Sequence, residues 1–459
     1  MTKKENIAGA EKMGTGPIPK LLTSMALPAI FSMSINALYN IVDSIFVAKI
    51  SQDALTAVSF VMPMQFVMIA FSVGSGVGVN SLISRKLGAQ KKEEADSAAS
   101  ASVRIAYFNY ILFLLIGLFV TVPFMNYYTS DPVLLGYGVS YMRIVMCFGI
   151  FLSLEIMLEK IMQATGDMIS PMICSLSGAL TNIILDPILI FGLFGAPRLE
   201  VRGAAIATVI GQVVSFIVAV SILIKKDHAV KIKLLGYKMK FKVFAEIYKV
   251  GFPSIIMQII ASVMLIGFNT ILAAETTAVA VLGIYFKLQS FIFMPVFGLN
   301  QGAMPLMGYN YGAKNKARLI KTFKLALLAA LVIMTLGTMM FQLIPDLLLR
   351  LFNAGDEMLR IGIPALRIIS ICFIPAAFGI ITATFFQGTG HGFYSLLASL
   401  IRQLLSILPL AFILYRLKGV TGAWFAFPLA EILGFTFSAV MLYRLYKKEI
   451  KHLGLADAE

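Results

Sequence analysis

The chain has 459 residues, of which 59% are hydrophobic and 13% charged, with a formal net charge of +15. A mean hydropathy of +0.87 leaves too little polar surface to coat a water-soluble globule, in which about a quarter of residues are normally charged. The basic excess does not point to nucleic acid, because Lys and Arg fall in short connections between apolar runs, with no basic domain or RNA-reading motif. What remains is an all-α, polytopic membrane protein with the lipid bilayer as its solvent.

In chain order, residues 1–20 are polar, and the apolar run that follows is too long for a signal-peptide core. It is expected to stay as span 1. Runs long enough to cross about 30 Å of hydrocarbon lie near 21–48, 54–86, 100–124, 133–161, 168–195, 201–224, 248–273, 277–309, 319–343, 358–387, 392–416 and 419–446. These are the predicted spans 1 to 12. Lys3, Lys4, Lys12 and Lys20 precede span 1, Arg85, Lys86, Lys91 and Lys92 follow span 2, and Lys314, Lys316 and Arg318 follow span 8. With the stretch from Lys225 to Lys249, they place these connections and both termini in the cytoplasm of a cell carrying the protein in its cytoplasmic membrane. The intervening loops, such as NYYTSDP and AAETT, are nearly free of Lys and Arg; Arg198, Arg202, Arg350 and Lys418 are the exceptions. Cys147, Cys174 and Cys372 lie singly in apolar runs, so neither a disulfide framework nor a zinc site is indicated. No cofactor is expected.

The chain repeats itself at a fixed offset, the interval from Gln65 to Gln289. ALTAVSFVMPMQ (54–65) aligns with AVAVLGIYFKLQ (278–289), Gly74 with Gly298, Gly78 with Gly302, and Gly88-Ala89 with Gly312-Ala313. QATGD (163–167) falls on QGTGH (387–391), and after a shorter loop GAAIAT (203–208) matches GAWFAF (422–427). Each half therefore holds six spans in one shared orientation, related by a pseudo-two-fold axis along the membrane normal. The predicted organisation is a cytoplasmic segment 1–20, an N-lobe 21–224, a basic cytoplasmic linker 225–247, a C-lobe 248–446 and a cytoplasmic tail 447–459. A cavity between two such lobes suits alternating access.

Charged groups inside spans are costly and usually have a task. Asp43 is the sole charge between Leu21 and Val47, and Asp186 sits near the outer end of span 5. Asn36, Tyr39 and Asn40 precede Asp43 at helical spacing, and Gly178 and Asn182 precede Asp186 likewise, so each acid heads a narrow polar strip. Facing strips make a site that takes and releases a proton, or one whose oxygens at Asp43, Asp186 and Asn182 hold sodium. No other metal is indicated. Asp186-Pro187 predicts a bend beside the acid, and Pro28 frees a carbonyl in span 1, making both prolines candidate hinges. Glu155 and Glu159 are one turn apart in span 4. Gln65 and its repeat mate Gln289, with Tyr285 and Phe286 of span 8, are candidate cavity-wall contacts for cargo. Lys287, Arg402 and Glu431 are charged groups of the C-lobe, expected to snorkel or pair. The second lobe copies the scaffold without the acids: Asp43 aligns near Phe268 and Asp186 near Leu410.

The twelve spans, the six-plus-six repeat, Pro28 and Asp43 in span 1, NIILDP of span 5, and the QATGD and GAAIATVIGQ blocks together resemble the multidrug and toxic compound extrusion (MATE) family, more narrowly its DinF/MepA-like branch. The resemblance implies an antiporter that exports bulky, often cationic organic compounds against inward proton or sodium flow, with protons favoured; the chain is expected to be monomeric. It implies a cargo-binding role for Glu159, a place near the span 5 acid for Thr208, and bending of span 1 near Pro28 on protonation. Some branches carry acids in spans 7 and 10; here both spans lack them.

Rival functions fit less well. SVGSGVGVNS lacks the strand–helix setting of a nucleotide loop and no GxxxxGK[ST] occurs, which argues against an ATP-driven pump. The acids lack the sequence context of an intramembrane aspartyl protease, and no enzyme activity is expected. Nothing resembles a channel filter. A flippase of a lipid-linked saccharide or lipid is the alternative, since related two-lobed folds perform that task, but its pyrophosphate cargo calls for a basic cavity.

Overall fold

A computed structural model describes residues 4–226, 228–233, 237, 240–352 and 354–454, and within them the chain is helical with no strand. This follows from the solvent: hydrocarbon offers no partner to a backbone N–H or C=O, so each span must satisfy its own. Spans 1 to 3 are Ile18–Ala48, Gln52–Gly88 and Lys92–Tyr128. Span 4 is Pro132–Cys147 plus Ile150–Ala164, and spans 5 to 9 are Ile169–Phe191, Val201–Lys225, Phe241–Ile271, Thr276–Gly312 and Lys316–Leu343. Span 10 is Asp356–Ser370 plus Phe373–Gly388, which meet at 48°. The helix Gly392–Trp424 leaves helical geometry at Lys418 and Gly419, where the sequence places the end of span 11, and span 12 continues through Ala426–Lys448.

Several boundaries differ from those expected. Span 4 is not one helix over 133–161; it breaks at Phe148-Gly149, where Gly149 lies so close to span 2 that a Cβ would be 2.9 Å from Met68 Sδ. Span 10 breaks at the equivalent place, since the repeat carries Cys147 onto Ile371. Span 7 begins at Phe241, which shortens the expected linker, and span 3 begins at Lys92 rather than near residue 100. Residues 1–20 are not merely polar: Lys4–Thr15 is a helix whose Met13 is buried, and span 1 starts at Ile18. The Arg318 guanidinium donates to the carbonyls of Met13 (3.0 Å) and Gly16 (2.7 Å), and the Asn310 amide to Met13 (3.1 Å). The segment before span 1 is thus strapped to the C-lobe. Within the expected tail, residues 455–459 lie outside the described residues.

The repeat is written in the backbone as well. Gln90 (φ 58°) and its repeat mate Lys314 (φ 54°) both enter the left-handed region, as do Gly166 (85°) and its mate Gly390 (88°). For Gln90 and Lys314, side chains that rarely adopt this geometry, the tight turn after spans 2 and 8 imposes it.

Glycines hold the lobes together. A Cβ on Gly74 would lie 2.5 Å from Ile255 of span 7, and its repeat mate Gly298 would press on Ile30 of span 1 at 2.6 Å. Nearer the basic connections, Gly88 approaches the Tyr309 carbonyl, Gly312 that of Arg85, and Gly308 packs on Ser84. The Ser81 hydroxyl donates to the Gln387 carbonyl across the same seam at 2.5 Å. In hydrocarbon such close approach substitutes for a hydrophobic drive between helices. These contacts close the end that carries the Lys91–Lys92 and Lys316–Arg318 turns. The described parts of both termini lie there too, with Lys316 Nζ donating to the Lys451 carbonyl at 3.1 Å.

Candidate functional site

Beyond the glycine seam a cavity of about 640 Å³ occupies chiefly the N-lobe, walled by spans 1, 2, 4, 5 and 6, with Gln258 and Gln301 supplied by the C-lobe. Met62 and Phe66, both exposed, line it, so the cavity opens at the end opposite the basic connections.

The two polar strips meet. Asp43 of span 1 and Asp186 of span 5 bring their carboxyl groups within hydrogen-bond reach of each other. Asn182 lies one turn before Asp186, and its amide donates to Asp186 Oδ1 and to Thr208 Oγ1 of span 6, each at 3.4 Å. The Tyr39 hydroxyl reaches the Thr208 hydroxyl. Asp186 and Asn182 are buried, whereas Asn36 and Asn40 are exposed to the cavity. Asp43 Oδ1, Asn182 Oδ1 and Asp186 Oδ2 have no donor among the described residues. Two carboxyls within hydrogen-bond reach share a proton or a cation more readily than they hold two charges.

A second pair of acids lies on span 4. Glu159 Oε1 accepts from the Ser175 hydroxyl at 2.8 Å, and Glu155 Oε1 accepts from the Ser215 hydroxyl. Gln65, also in the wall, donates weakly to the Tyr141 hydroxyl at 3.5 Å. The cavity wall therefore carries three carboxyl groups, Asp43, Glu155 and Glu159, against one ammonium, Lys160, with Asp186 buried behind Asp43. A cavity of that balance favours a positively charged occupant.

Three expected wall residues are elsewhere. Tyr285 is buried in the C-lobe core against Phe341 and Phe427, Phe286 packs on Tyr285, and Gln289 lies outside the cavity lining. The cavity belongs to the first lobe, so the repeat mate of Gln65 faces a different surrounding. Arg402 and Glu431 pair with each other at 3.5 Å inside the C-lobe, and Lys287 Nζ lies over the Phe352 ring. Pro28 and Pro187 both sit inside continuous helices.

The structure also recruits Lys160, Gln163, Tyr141, Gln212, Gln258 and Gln301 to the lining. Lys160, near the inner end of span 4, is 8% exposed. Adjacent residues on a helix point about 100° apart, so its place one residue after Glu159 did not by itself put it on the cavity face.

At the basic end, outside the spans, Asp167 caps span 5 by accepting from the Ser170 amide (3.0 Å) and hydroxyl (2.6 Å). Burial pushes its pKa up, but Ser170 and Lys226 outweigh that and hold it below the usual carboxylate range. His391, its repeat mate, is held below the usual imidazole range by burial, against the opposing pull of Glu449.

The family model MatE matches residues 28–188 and again 253–413, one copy per lobe. The chain is similar to the multidrug export protein MepA of Staphylococcus haemolyticus (strain JCSC1435), 28% identical over 432 residues and covering 93% of each chain. Its similarity to MepA of Staphylococcus aureus (strain MSSA476) is 26% identity over 440 residues, 94% of each chain. A solved structure described as the outward-facing conformation of a multidrug resistance MATE family transporter of the MOP superfamily matches with a TM-score of 0.88 and 26% identity. That match covers 98% of this chain and 100% of the other.

Proposed function

The chain belongs to the MatE family, and we propose that it exports bulky organic cations across the cytoplasmic membrane by alternating access, exchanging them for protons. The observation that carries this reading is the acid-lined cavity, lying chiefly in the N-lobe, shut at the basic end and open at the other. With the basic connections and both termini in the cytoplasm, that is a state facing outward. Cargo enters when the lobes part at the basic end, lies along the apolar wall with its positive charge near Glu155 and Glu159, and leaves through the mouth beside Met62 and Phe66.

Coupling is assigned to the Asp43–Asp186 pair. A proton shared between the two carboxyls lets span 1 and span 5 close on each other, and its loss drives them apart by like-charge repulsion. Asn182, Thr208 and Tyr39 fix the pair by the hydrogen bonds described above. One proton moving down 100 mV releases about 2.3 kcal/mol, which sustains roughly a fifty-fold gradient of an uncharged cargo. Sodium is the second reading, favoured by the donor-free oxygens of Asp43, Asn182 and Asp186. A lipid-linked saccharide is disfavoured because its pyrophosphate would meet the three carboxyl groups of the wall.

Proteoliposomes containing the purified protein test the assignment. Uphill movement of a fluorescent organic cation under an imposed proton gradient, and none under a sodium gradient of equal size, is expected. Uphill movement under the sodium gradient alone would transfer coupling to sodium, and flipping of a fluorescent lipid without cation transport would favour the alternative.

A further inference from the structure

At the cavity floor, Lys160 crosses the boundary between the lobes. Its stem runs over Gly76, where a Cβ would fall 2.7 Å from Lys160 Cγ, so the glycine makes room for it. The ammonium donates to Gln163 Oε1 at 2.9 Å and to Gln301 Oε1 of the C-lobe at 3.3 Å, and the Gln163 amide donates to the same Gln301 oxygen at 3.1 Å. This polar layer lies on the cavity side of the seam formed by Ser81 with Gln387 and Ser84 with Gly308. It is therefore the innermost layer that must part when the basic end opens.

The chemistry of the layer is unusual for a closure. A buried ammonium whose hydrogen-bond partners are neutral amides, with the Glu159 carboxyl attracting it without a hydrogen bond, recovers only part of its desolvation cost, and apolar groups of similar size would close the floor at least as well. When the floor opens, the same ammonium regains water. We propose that Lys160 is the floor gate of the transport cycle, bridging spans 4 and 8 while the floor is shut and keeping that state shallow enough to leave. Lys160 is a positioning residue in this role: it sets the balance between the two states rather than taking up the coupling ion. The proposal rests on the alternating-access reading above.

The physics assigns opposite signs to two substitutions at the same contact. Lys160→Met keeps the stem and removes the charge, so the shut floor gains stability. Gln301→Leu keeps the charge and removes its cross-lobe acceptor, so in the shut state the ammonium is left with Gln163 alone and the Gln163 amide loses its own acceptor. Replacing both removes the buried charge together with its cross-lobe acceptor, which returns the balance toward shut. A protein merely damaged by substitution would move in one direction for both.

The reporter is Ser84→Cys, fully buried in the seam against Gly308, in full-length protein whose Cys147, Cys174 and Cys372 have been replaced. Labelling by a water-soluble maleimide is timed in detergent, where both ends are accessible. Lys160→Met is expected to slow labelling about tenfold, Gln301→Leu to speed it about tenfold, and the double variant to label no faster than the parent. Lys160→Gln, neutral but still polar, gives a second variant expected to slow labelling. Both single variants shifting the rate the same way, or neither shifting it, would overturn the gate. Failure of alternating access itself has a different signature: Ser84→Cys stays unlabelled in every variant while the same proteins still export cargo from proteoliposomes, which overturns both.

Discussion

Asp167 and His391 stand at repeat-equivalent turns, and each clasps the residue just past the last span of its own lobe, with acid and base interchanged. Asp167 Oδ2 lies 3.4 Å from Lys226 Nζ, and His391 Nε2 lies 3.2 Å from Glu449 Oε2. The repeat preserves a mechanical connection between spans 4 and 6, and between spans 10 and 12, while leaving the chemistry free to change.

The change of chemistry gives the two clasps different pH responses. Because His391 is held below the usual imidazole value, the folded state binds fewer protons than the unfolded one, and stability falls as pH drops below about 6.5. Asp167 is also held low, so its contribution is present above about pH 3.9 and is lost only as pH falls through its folded value. Thermal unfolding of the purified protein at about pH 7.5 and about pH 5.5, either side of the unperturbed imidazole value, should show a loss on acidification that is smaller in His391→Gln. Asp167→Asn should lower the midpoint at both values without altering the difference. An unchanged difference in His391→Gln would remove His391 as the source of that loss.

Asp43→Asn and Asp186→Asn should each abolish uphill export while leaving membrane insertion intact. An amide preserves the shape and most hydrogen bonds of the pair but cannot release a proton. The readout is accumulation of a fluorescent cation against a gradient in proteoliposomes, and normal accumulation by either variant would take that residue out of the coupling site.

Gly88→Val places a side chain where even a Cβ would collide with the Tyr309 carbonyl. Overpacking costs about 1–3 kcal/mol, so the shut basic end should lose roughly one to two powers of ten in population. Export should fall accordingly and a cysteine at Ser84 should label faster. Wild-type labelling would show that Gly88 does not belong to the seal.

Orientation can be read with single cysteines in sealed cells. A probe at the exposed Thr276, at the start of span 8 beside the loop from span 7, should react with an external impermeant reagent, and one at the exposed Lys233 should not. The reverse pattern would invert the topology and, with it, the direction in which the cavity faces.

The amino-acid sequence by itself determined the class, the spans, the repeat and the two polar strips, because each rests on a local quantity. Hydropathy over about twenty residues reports a crossing, and helical spacing puts Asn36, Tyr39 and Asn40 on the Asp43 face. Only the tertiary structure decided which lobe holds the cavity. Lipid and protein interior are equally apolar, so hydrophobicity around a span such as Thr276–Gly312 does not reveal which side faces the other lobe. Tyr285 therefore read as cavity wall when it is C-lobe core, and Gln289 read as the working partner of Gln65 when the two lobes use that position differently. Lys160 was ambiguous for the same reason: a lysine near a span's end is equally compatible with snorkelling to the interface and with burial. Gly76 of span 2 makes room for its stem and Gln301 of span 8 supplies its acceptor. Both settle its place from other helices, far beyond the reach of a helical period along span 4.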